Sequence, residues 1–203
     1  GPFMAINCAA IPYDLIESEI FGYEAGTFTG GLRQGKPGKL ELVKGGTLFL
    51  DEIDGMSMDM QAKLLRVLEE KQFQRLGGTK YIALEARIIS ATNQDLLERV
   101  SHGNFRNDLY YRLSVIEIHI PPLRVRKKDI EILVRRLIEE KNRQLGKAVK
   151  GVSKEALEYL LSYQWPGNVR ELKNWIERAV NLASGDILTR QDFPKPAGSS
   201  DIL

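Results

Sequence analysis

The sequence predicts an α/β fold in which a parallel sheet is followed by a small all-helical subdomain. Four short apolar runs rich in β-branched residues, at 3–8, 47–50, 87–91 and 115–120, read as buried strands with helical patterns between them. After Pro121-Pro122 the pattern is helical only. The 203 residues, 43% hydrophobic and 28% charged, suffice for one ordinary domain or a domain with an appendage, and this near-average composition argues against disorder. No apolar run approaches the roughly 18 residues of a membrane span.

The elements follow in order. Gly1-Pro2-Phe3-Met4 carries neither the basic region nor the apolar stretch of a signal peptide, and a lone Cys8 cannot close an internal disulfide, so a reducing, cytoplasmic setting is expected. Residues 22–46 hold eight of the 18 glycines and must be loop-like. Within them Gly26-Thr27-Phe28-Thr29-Gly30-Gly31 sets an aromatic side chain at a glycine-hinged tip; the plain alternative is a flexible connector, but burial is difficult there and a partner contact is the sharper reading. Between 57 and 72, Met60, Leu64, Val67 and Leu68 share one helical face, and 73–84 reads as a hairpin turning at Gly77-Gly78. Helices then follow at 129–145, ending at Gly146, at 153–163 with Ser153 as N-cap, and at 168–184 with Asn168 as N-cap and Gly185 as stop. Their expected core is Leu133, Leu137, Leu157, Leu160, Leu172 and Ile176. The division is an α/β core at 1–122, a helical lid subdomain at 123–193 and a Pro/Gly/Ser-rich linker tail at 194–203.

Net charge is +2, unevenly spread: 1–120 carry 13 basic against 16 acidic residues and 121–203 carry 16 against 11. The basic residues of the second part are interleaved with acids along helical patterns, which reads as a solvated face rather than a nucleic-acid patch.

Leu48-Phe49-Leu50-Asp51-Glu52 is an apolar strand ending in two adjacent acids. Nucleoside triphosphatases use this arrangement to hold Mg²⁺ with the first carboxylate and orient water with the second. Alone it is equally a solvated turn, but Thr92-Asn93 ends the run 87–91 at the same sheet edge, where open α/β sheets place ligands. Arg106 and Arg112, which flank the segment 107–111, are of the type that stabilises charge on a transferring phosphoryl group. Gly30 to Pro37 spells G-x-x-x-x-G-K-P, a decoy of the phosphate-binding loop, because Pro37 supplies no hydroxyl and no helix opens there. His102 and His119 lack ligand-spaced partners, so a dedicated metal cage is not expected. Cys8 reads as a buried strand residue, and Tyr110, Tyr111 and Trp175 as packing aromatics.

Together these segments resemble the central AAA+ domain of bacterial enhancer-binding proteins, the NtrC-like activators of sigma-54 RNA polymerase. The match runs from Phe3-Met4-Ala5-Ile6-Asn7-Cys8-Ala9-Ala10 to about Phe193, in the family's order. Gly26 to Gly31 resembles the family's GAFTGA loop, Gly45-Gly46-Thr47-Leu48-Phe49-Leu50-Asp51-Glu52 its Walker B segment, and Ala91-Thr92-Asn93 its sensor I. Phe105-Arg106-Asn107-Asp108-Leu109-Tyr110-Tyr111-Arg112-Leu113 resembles the arginine-finger segment, and Trp165 to Leu172 the start of the sensor II helix.

The resemblance implies that Asp51 serves Mg²⁺, Glu52 serves the attacking water, and Asn7 holds Glu52 in an alternative, inactive pose. It implies that Arg106 and Arg112 act on the γ-phosphate of a neighbouring subunit in a hexameric or heptameric ring, and that Asn93 and Arg170 report on nucleotide. Phe28 and Thr29 would touch sigma-54, with ATP and Mg²⁺ as cofactors and promoter DNA engaged through a separate domain, away from any membrane. Thr27 and Gly31 depart from the alanines of GAFTGA. The family's first strand, P-loop and following helix would precede Phe3, so the expected fold is the AAA+ parallel sheet lacking its first strand, with order 5-1-4-3-2 reduced by one. The resemblance therefore implies an ATPase in the intact parent and no turnover in this fragment, with a non-catalytic sigma-54-binding module as the rival reading. The strand at 115–120 is expected to shift against that at 87–91, or a second molecule to pair there.

Overall fold

The structure, a computed structural model, describes residues 1–27 and 34–194. In chain order, β1 (Phe3–Asn7) is followed by α1 (Tyr13–Phe21), β2 (Gly22–Tyr23), β3 (Lys36–Pro37), the short α2 (Lys39–Leu42) and β4 (Thr47–Asp51). A 3-10 turn (Ile53–Gly55) leads to α3 (Met58–Glu70), β5 (Gln72–Phe73), β6 (Ile82–Ala83), β7 (Arg87–Ser90), α4 (Leu96–Ser101) and α5 (Asn107–Leu113). Then come α6 (Lys127–Leu145), β8 (Gly151–Val152), α7 (Lys154–Ser162), α8 (Asn168–Leu182) and β9 (Ile187–Leu188). The chain forms two compact units, Gly1–Glu117 and Ile118–Leu203.

The first unit is built on the parallel sheet β1-β4-β7, with Met4 opposite Leu48, Ile6 opposite Leu50 and Leu48 opposite Ile88. Side chains alternate across a strand, so Ile6, Leu48 and Leu50 fall on one face, where all three are buried. Ile16, Ile20 and Phe21 of α1, Met60, Leu64, Leu65, Val67 and Leu68 of α3, and Leu109 of α5 complete that core. On the opposite face Phe3 and Ala5 are exposed and Phe49 and Ile89 half-buried, with Phe3 stacked on Phe49 at 6.3 Å between ring centroids. Burial of the strands on both faces, as their composition suggests, therefore holds for one face among the described residues.

Helix α3 starts where its chemistry says it should: the Ser57 hydroxyl accepts the Met60 N–H at 3.1 Å. It stops at Lys71, left-handed at φ 55°, whose N–H donates to the Val67 carbonyl. The hairpin read at 73–84 is present as β5 paired antiparallel with β6, Gln72 opposite Ala83, with a broader connection than a two-residue turn.

Residues 115–120, expected as a strand, are not one. Val115, Ile116, Ile118 and Ile120 are each at least 74% exposed, and β7 pairs with β4 alone among the described residues. The composition is right for a strand, but an extended backbone becomes one only when its N–H and C=O groups meet a partner, and no strand stands next to it here. The expected shift of this segment against β7 does not occur.

In the second unit Ser153 caps α7 by accepting the Ala156 N–H at 3.1 Å, and α6 ends at Gly146, left-handed at φ 65°. Leu137, Leu160, Leu172 and Ile176 are buried as expected, Leu133 and Leu157 half-buried, and Trp165 is fully buried in the same cluster. Its Nε1–H donates to the Leu160 carbonyl at 2.8 Å. Three boundaries differ from the sequence reading: α6 starts at Lys127, two residues earlier than 129. Asn168 is the first residue of α8 rather than its cap, with Oδ1 accepting the Leu123 N–H at 2.8 Å, and the helix ends at Leu182 rather than before Gly185. A short parallel pair, β8 with β9, was not legible in a pattern that is otherwise helical.

Leu64→Ala removes a fully buried side chain from the first unit's core. It is expected to cost about 2–5 kcal/mol, read as a lower urea midpoint at unchanged slope.

Candidate functional site

β4 lies in the middle of the sheet, and its C-terminal end delivers Asp51 and Glu52 to the sheet edge. The backbone there is clamped from both sides. The Cys8 N–H donates to the Asp51 carbonyl at 2.9 Å, the Ala91 N–H to Leu50 at 2.8 Å, and the Ile53 N–H to Ala91 at 3.1 Å. Glu52 sits in the left-handed region, at φ 50° and ψ 50°, and its N–H donates to Asp51 Oδ1 at 3.0 Å. A non-glycine residue held there is strained by about 1–2 kcal/mol, and such strain concentrates at functional turns.

Asn7 is directly opposite Asp51 in the ladder. Its Oδ1 accepts the N–H groups of Ala9 at 3.0 Å and Ala10 at 2.9 Å, so its side chain braces the turn after β1. Among the described residues no hydrogen bond joins it to Glu52. Thr92, just past β7, donates its hydroxyl to Asp54 Oδ1 at 2.5 Å, while Asn93 is exposed and accepts only a long 3.4 Å bond from Gln94 Nε2. Asn7, Asp51, Glu52, Asp54 and Thr92 thus gather at one edge. Cys8 lies beneath them, its thiol pushed up to about 12 by burial first and then by the fields of Asp51, Asp54 and Glu52.

The arginine segment is anchored to α3. Arg106 pairs with Asp108 at 2.6 Å, which holds that carboxyl below its ordinary range. Arg112 donates to the Leu68 carbonyl at 2.9 Å. Neither makes a hydrogen bond to the carboxylates at the sheet edge. Arg170 is exposed on the first turn of α8, in the second unit. Phe28 and Thr29 lie outside the described residues. Of the near-miss phosphate loop, Lys36 and Pro37 form a strand, and Lys36 is paired with Glu19 at 2.5 Å, as suits a decoy.

Gln61, Asp54 and Arg99 escaped the sequence reading. Gln61 is fully buried; its Nε2 donates to the carbonyls of Met56 at 2.8 Å and Asn104 at 3.3 Å, and its Oε1 accepts the Arg106 N–H at 2.8 Å. It ties the turn after β4 to the start of the arginine segment. The available signal was a polar residue on the apolar stripe of α3, in phase with Leu64, Leu65 and Leu68. Arg99 Nη2 donates to the Asp54 carbonyl at 3.1 Å, joining α4 to the same turn.

Residues 1–119 match the sigma-54 interaction domain and residues 124–201 the AAA+ ATPase lid domain. The chain belongs to the sigma-54 interaction domain family. It is 57% identical over 180 residues to the signal-transduction and transcriptional-control protein of Clostridium beijerinckii, covering 89% of this chain and 28% of that protein. It is 49% identical over 191 residues to the DNA-binding transcriptional regulator NtrC of Rhizobium meliloti, covering 94% of this chain and 39% of that one. Among solved structures it is similar to NtrX from Brucella abortus in complex with ATP, with a TM-score of 0.87 at 36% identity over 99% of this chain and 46% of that one. The chain spans roughly a third of the length of the curated relatives it matches. The order β1-β4-β7 corresponds to strands 2, 3 and 4 of the expected order 5-1-4-3-2, and the AAA+ lid domain matches within the helical second unit.

The Cys8 thiol reports chiefly on its own burial beneath the sheet edge, and secondarily on the carboxylates above it. Its folded value lies above the unfolded one, so its contribution to stability is complete below about pH 9 and is lost as pH rises toward about 12. Unfolding free energy is expected to fall across that window in the native chain and less so in Cys8→Ala, and maleimide labelling at pH 8 to be slow until urea is added.

Proposed function

We propose that this chain is the ATPase part of a cytoplasmic transcription activator that couples ATP hydrolysis to remodelling of sigma-54 RNA polymerase at promoters. The observation that supports this best is the meeting of Asn7, Asp51, Glu52 and Thr92 at one sheet edge, with Glu52 held in a strained turn. No helix among the described residues is long and apolar enough to cross a membrane.

The residues fit one end of a Mg-nucleotide. Asp51 offers hard oxygen donors suited to Mg²⁺, and Glu52 stands next to it to orient water. The phosphate chain has no counterpart cradle, because the 203 residues contain no G-x-x-x-x-G-K-[ST]. Bound Mg-ATP would supply the phosphoryl group. The chain's own residues do the rest: Asp51 and Glu52 position, Thr92 steadies the turn through Asp54, and Asn93 and Arg170 sense nucleotide. Arg106, immediately before α5, and Arg112, within it, serve a neighbouring copy in a hexameric or heptameric ring. Asn7, in the bonds it makes here, leaves Glu52 free. Phe28 and Thr29 contact sigma-54, and promoter DNA is engaged by a separate domain.

The isolated 203-residue chain is expected to show no phosphate release from ATP; turnover abolished by Glu52→Ala would refute this. A chimera in which residues 1–193 replace the matching segment of Rhizobium meliloti NtrC tests the rest. It is expected to drive sigma-54-dependent transcription with ATP turnover. Phe28→Ala should remove transcription and keep turnover, whereas Arg112→Ala and Glu52→Gln should each lower turnover by tenfold or more, as loss of transition-state stabilisation by about 1.4 kcal/mol or more requires. A chimera that binds sigma-54 without turnover would favour the non-catalytic module.

A further inference from the structure

Gln61 is fully buried on what is otherwise the apolar stripe of α3. Its Nε2 donates to the Met56 and Asn104 carbonyls, and its Oε1 accepts the Arg106 N–H at 2.8 Å. An amide in that place is costlier than the leucines around it unless each of these bonds is made. The three partners, however, do not depend on it equally.

The turn that ends at Met56 is held several times over. The Met56 N–H donates to Ile53 at 3.2 Å, the Gly55 N–H to Glu52 at 2.9 Å, the Ile53 N–H to Ala91 at 3.1 Å, and Arg99 Nη2 to the Asp54 carbonyl at 3.1 Å. Gly55 also lies against Ala9, so close that a Cβ on it would fall 2.9 Å from the Ala9 Cβ. Asn104 is tied back to α4 by its own N–H, which donates to Arg99 at 2.9 Å. Arg106 has no such reserve. It is the N-cap residue of α5, its side chain does not cap the helix, and among the described residues its N–H meets Gln61 Oε1 and no other acceptor. The guanidinium pairs with Asp108, which belongs to the same segment, so that pair shapes the side chain without fixing the segment to the rest of the unit. Phe105 and Leu109 are buried and pack the segment down, but apolar contact is non-directional. The bond from Gln61 supplies the direction at Arg106.

We propose that Gln61 is a positioning residue for the nucleotide held by the neighbouring subunit: it fixes the Arg106 backbone and thereby where that guanidinium reaches. Its loss is felt across the subunit interface and not at the Glu52 turn of its own subunit. This rests on the reading of the chain as a ring-forming ATPase in which Arg106 and Arg112 serve a neighbouring copy.

In rings of the NtrC chimera, Gln61→Met, which keeps the size and removes all three bonds, is expected to lower kcat for ATP about ten- to a hundredfold with KM little changed, as misplacement of a group acting in the transition state does. Gln61→Glu should lose much less, because burial keeps its carboxyl protonated and leaves an acceptor for Arg106. Mixed rings show which site suffers. Gln61→Met subunits mixed with Glu52→Gln subunits should turn over ATP several-fold faster than either alone, since an intact Glu52 then meets an intact arginine segment across the interface. Gln61→Met mixed with Arg112→Ala should not recover. Recovery with Arg112→Ala, or with neither, overturns the proposal. Arg112→Ala mixed with Glu52→Gln is the control: no recovery there sinks the reading of arginines that act on a neighbour, while amide hydrogen exchange on the 203-residue chain still decides the contact. Arg106 should exchange about three- to tenfold faster in Gln61→Met, the effect of one hydrogen bond, with Gly55 and Met56 close to the native rate. Exchange unaltered at Arg106, or raised equally at Gly55 and Met56, overturns the positioning. Should Gln61→Met fail to fold, Gln61→Glu decides: turnover lost as fully as in Glu52→Gln while the Arg106 amide keeps its native rate overturns it.

Discussion

The first unit depends on β4 being the middle strand of a parallel sheet. Both of its backbone edges are taken by β1 and β7, and Leu48 and Leu50 are fully buried, so the strand can neither slip nor tilt without opening two ladders and a core. A one-residue slip would turn Leu48 and Leu50 out and Phe49 in. The charge pattern then follows from desolvation: carboxylates cannot be tolerated along the buried run and can appear only where the ladder ends. Asp51 and Glu52 occupy that place, and the turn they head carries Asp54, α3 and the whole junction to α5 through Gln61. Gln61 uses both ends of its amide on three backbone groups, and removing it would leave buried donors and acceptors unpaired.

Strained backbone marks one turn in each unit. Apart from Lys71, which closes α3, the non-glycine residues at positive φ among those described are Glu52, Trp165 and Asn168. Glu52 opens the turn at the carboxylate edge; Trp165 and Asn168 bracket the start of α8, which carries Arg170. In the second unit the strain is held by burial, since Trp165 is fully enclosed and packs edge-on against Trp175 at 5.0 Å between centroids. The chain tolerates such conformations where surrounding contacts over-determine them, and Asn168, bonded through its side chain to Leu123, is held in the same way.

Most of the fold was legible in the sequence because its signals are local: short apolar runs rich in β-branched residues for β1, β4 and β7, a 3.6-residue stripe for α3, and Ser153 as a cap. What was not legible depends on partners. Residues 115–120 have the composition of a strand and lack a neighbour, and β8–β9 is too short to carry a period. The same division runs through the site. Adjacent acids at a strand end place Asp51 and Glu52, but no spacing rule says that Thr92 rather than Asn93 reaches the acid cluster, because that depends on which way the chain leaves β7. Gln61 was hidden by its type, since a glutamine on a helix reads as surface unless its phase is checked. The state of Asn7 was likewise open: its identity places it opposite Asp51, while only the turn after β1 decides that its oxygen is spent on Ala9 and Ala10.

The two arginines show why engagement within the chain does not argue against the proposed role in a ring. Arg106 holds Asp108 in a half-exposed pair, an arrangement that solvent screening leaves nearly neutral for stability. Arg112 gives one guanidinium N–H to the Leu68 carbonyl, a bond worth about 0.5–1.5 kcal/mol net. A guanidinium acting on a transferring phosphoryl group is worth about 10³–10⁵ in rate, so releasing either partner costs little beside what the new contact would return. The resting bonds have a different consequence. The Arg112 guanidinium donates to the last turn of α3 and the Arg106 backbone N–H to Gln61 near its start, so α5 is tied to both ends of the helix that follows the Glu52 turn. In the proposed ring, each subunit's arginine segment would start from a position set by its own nucleotide-side turn.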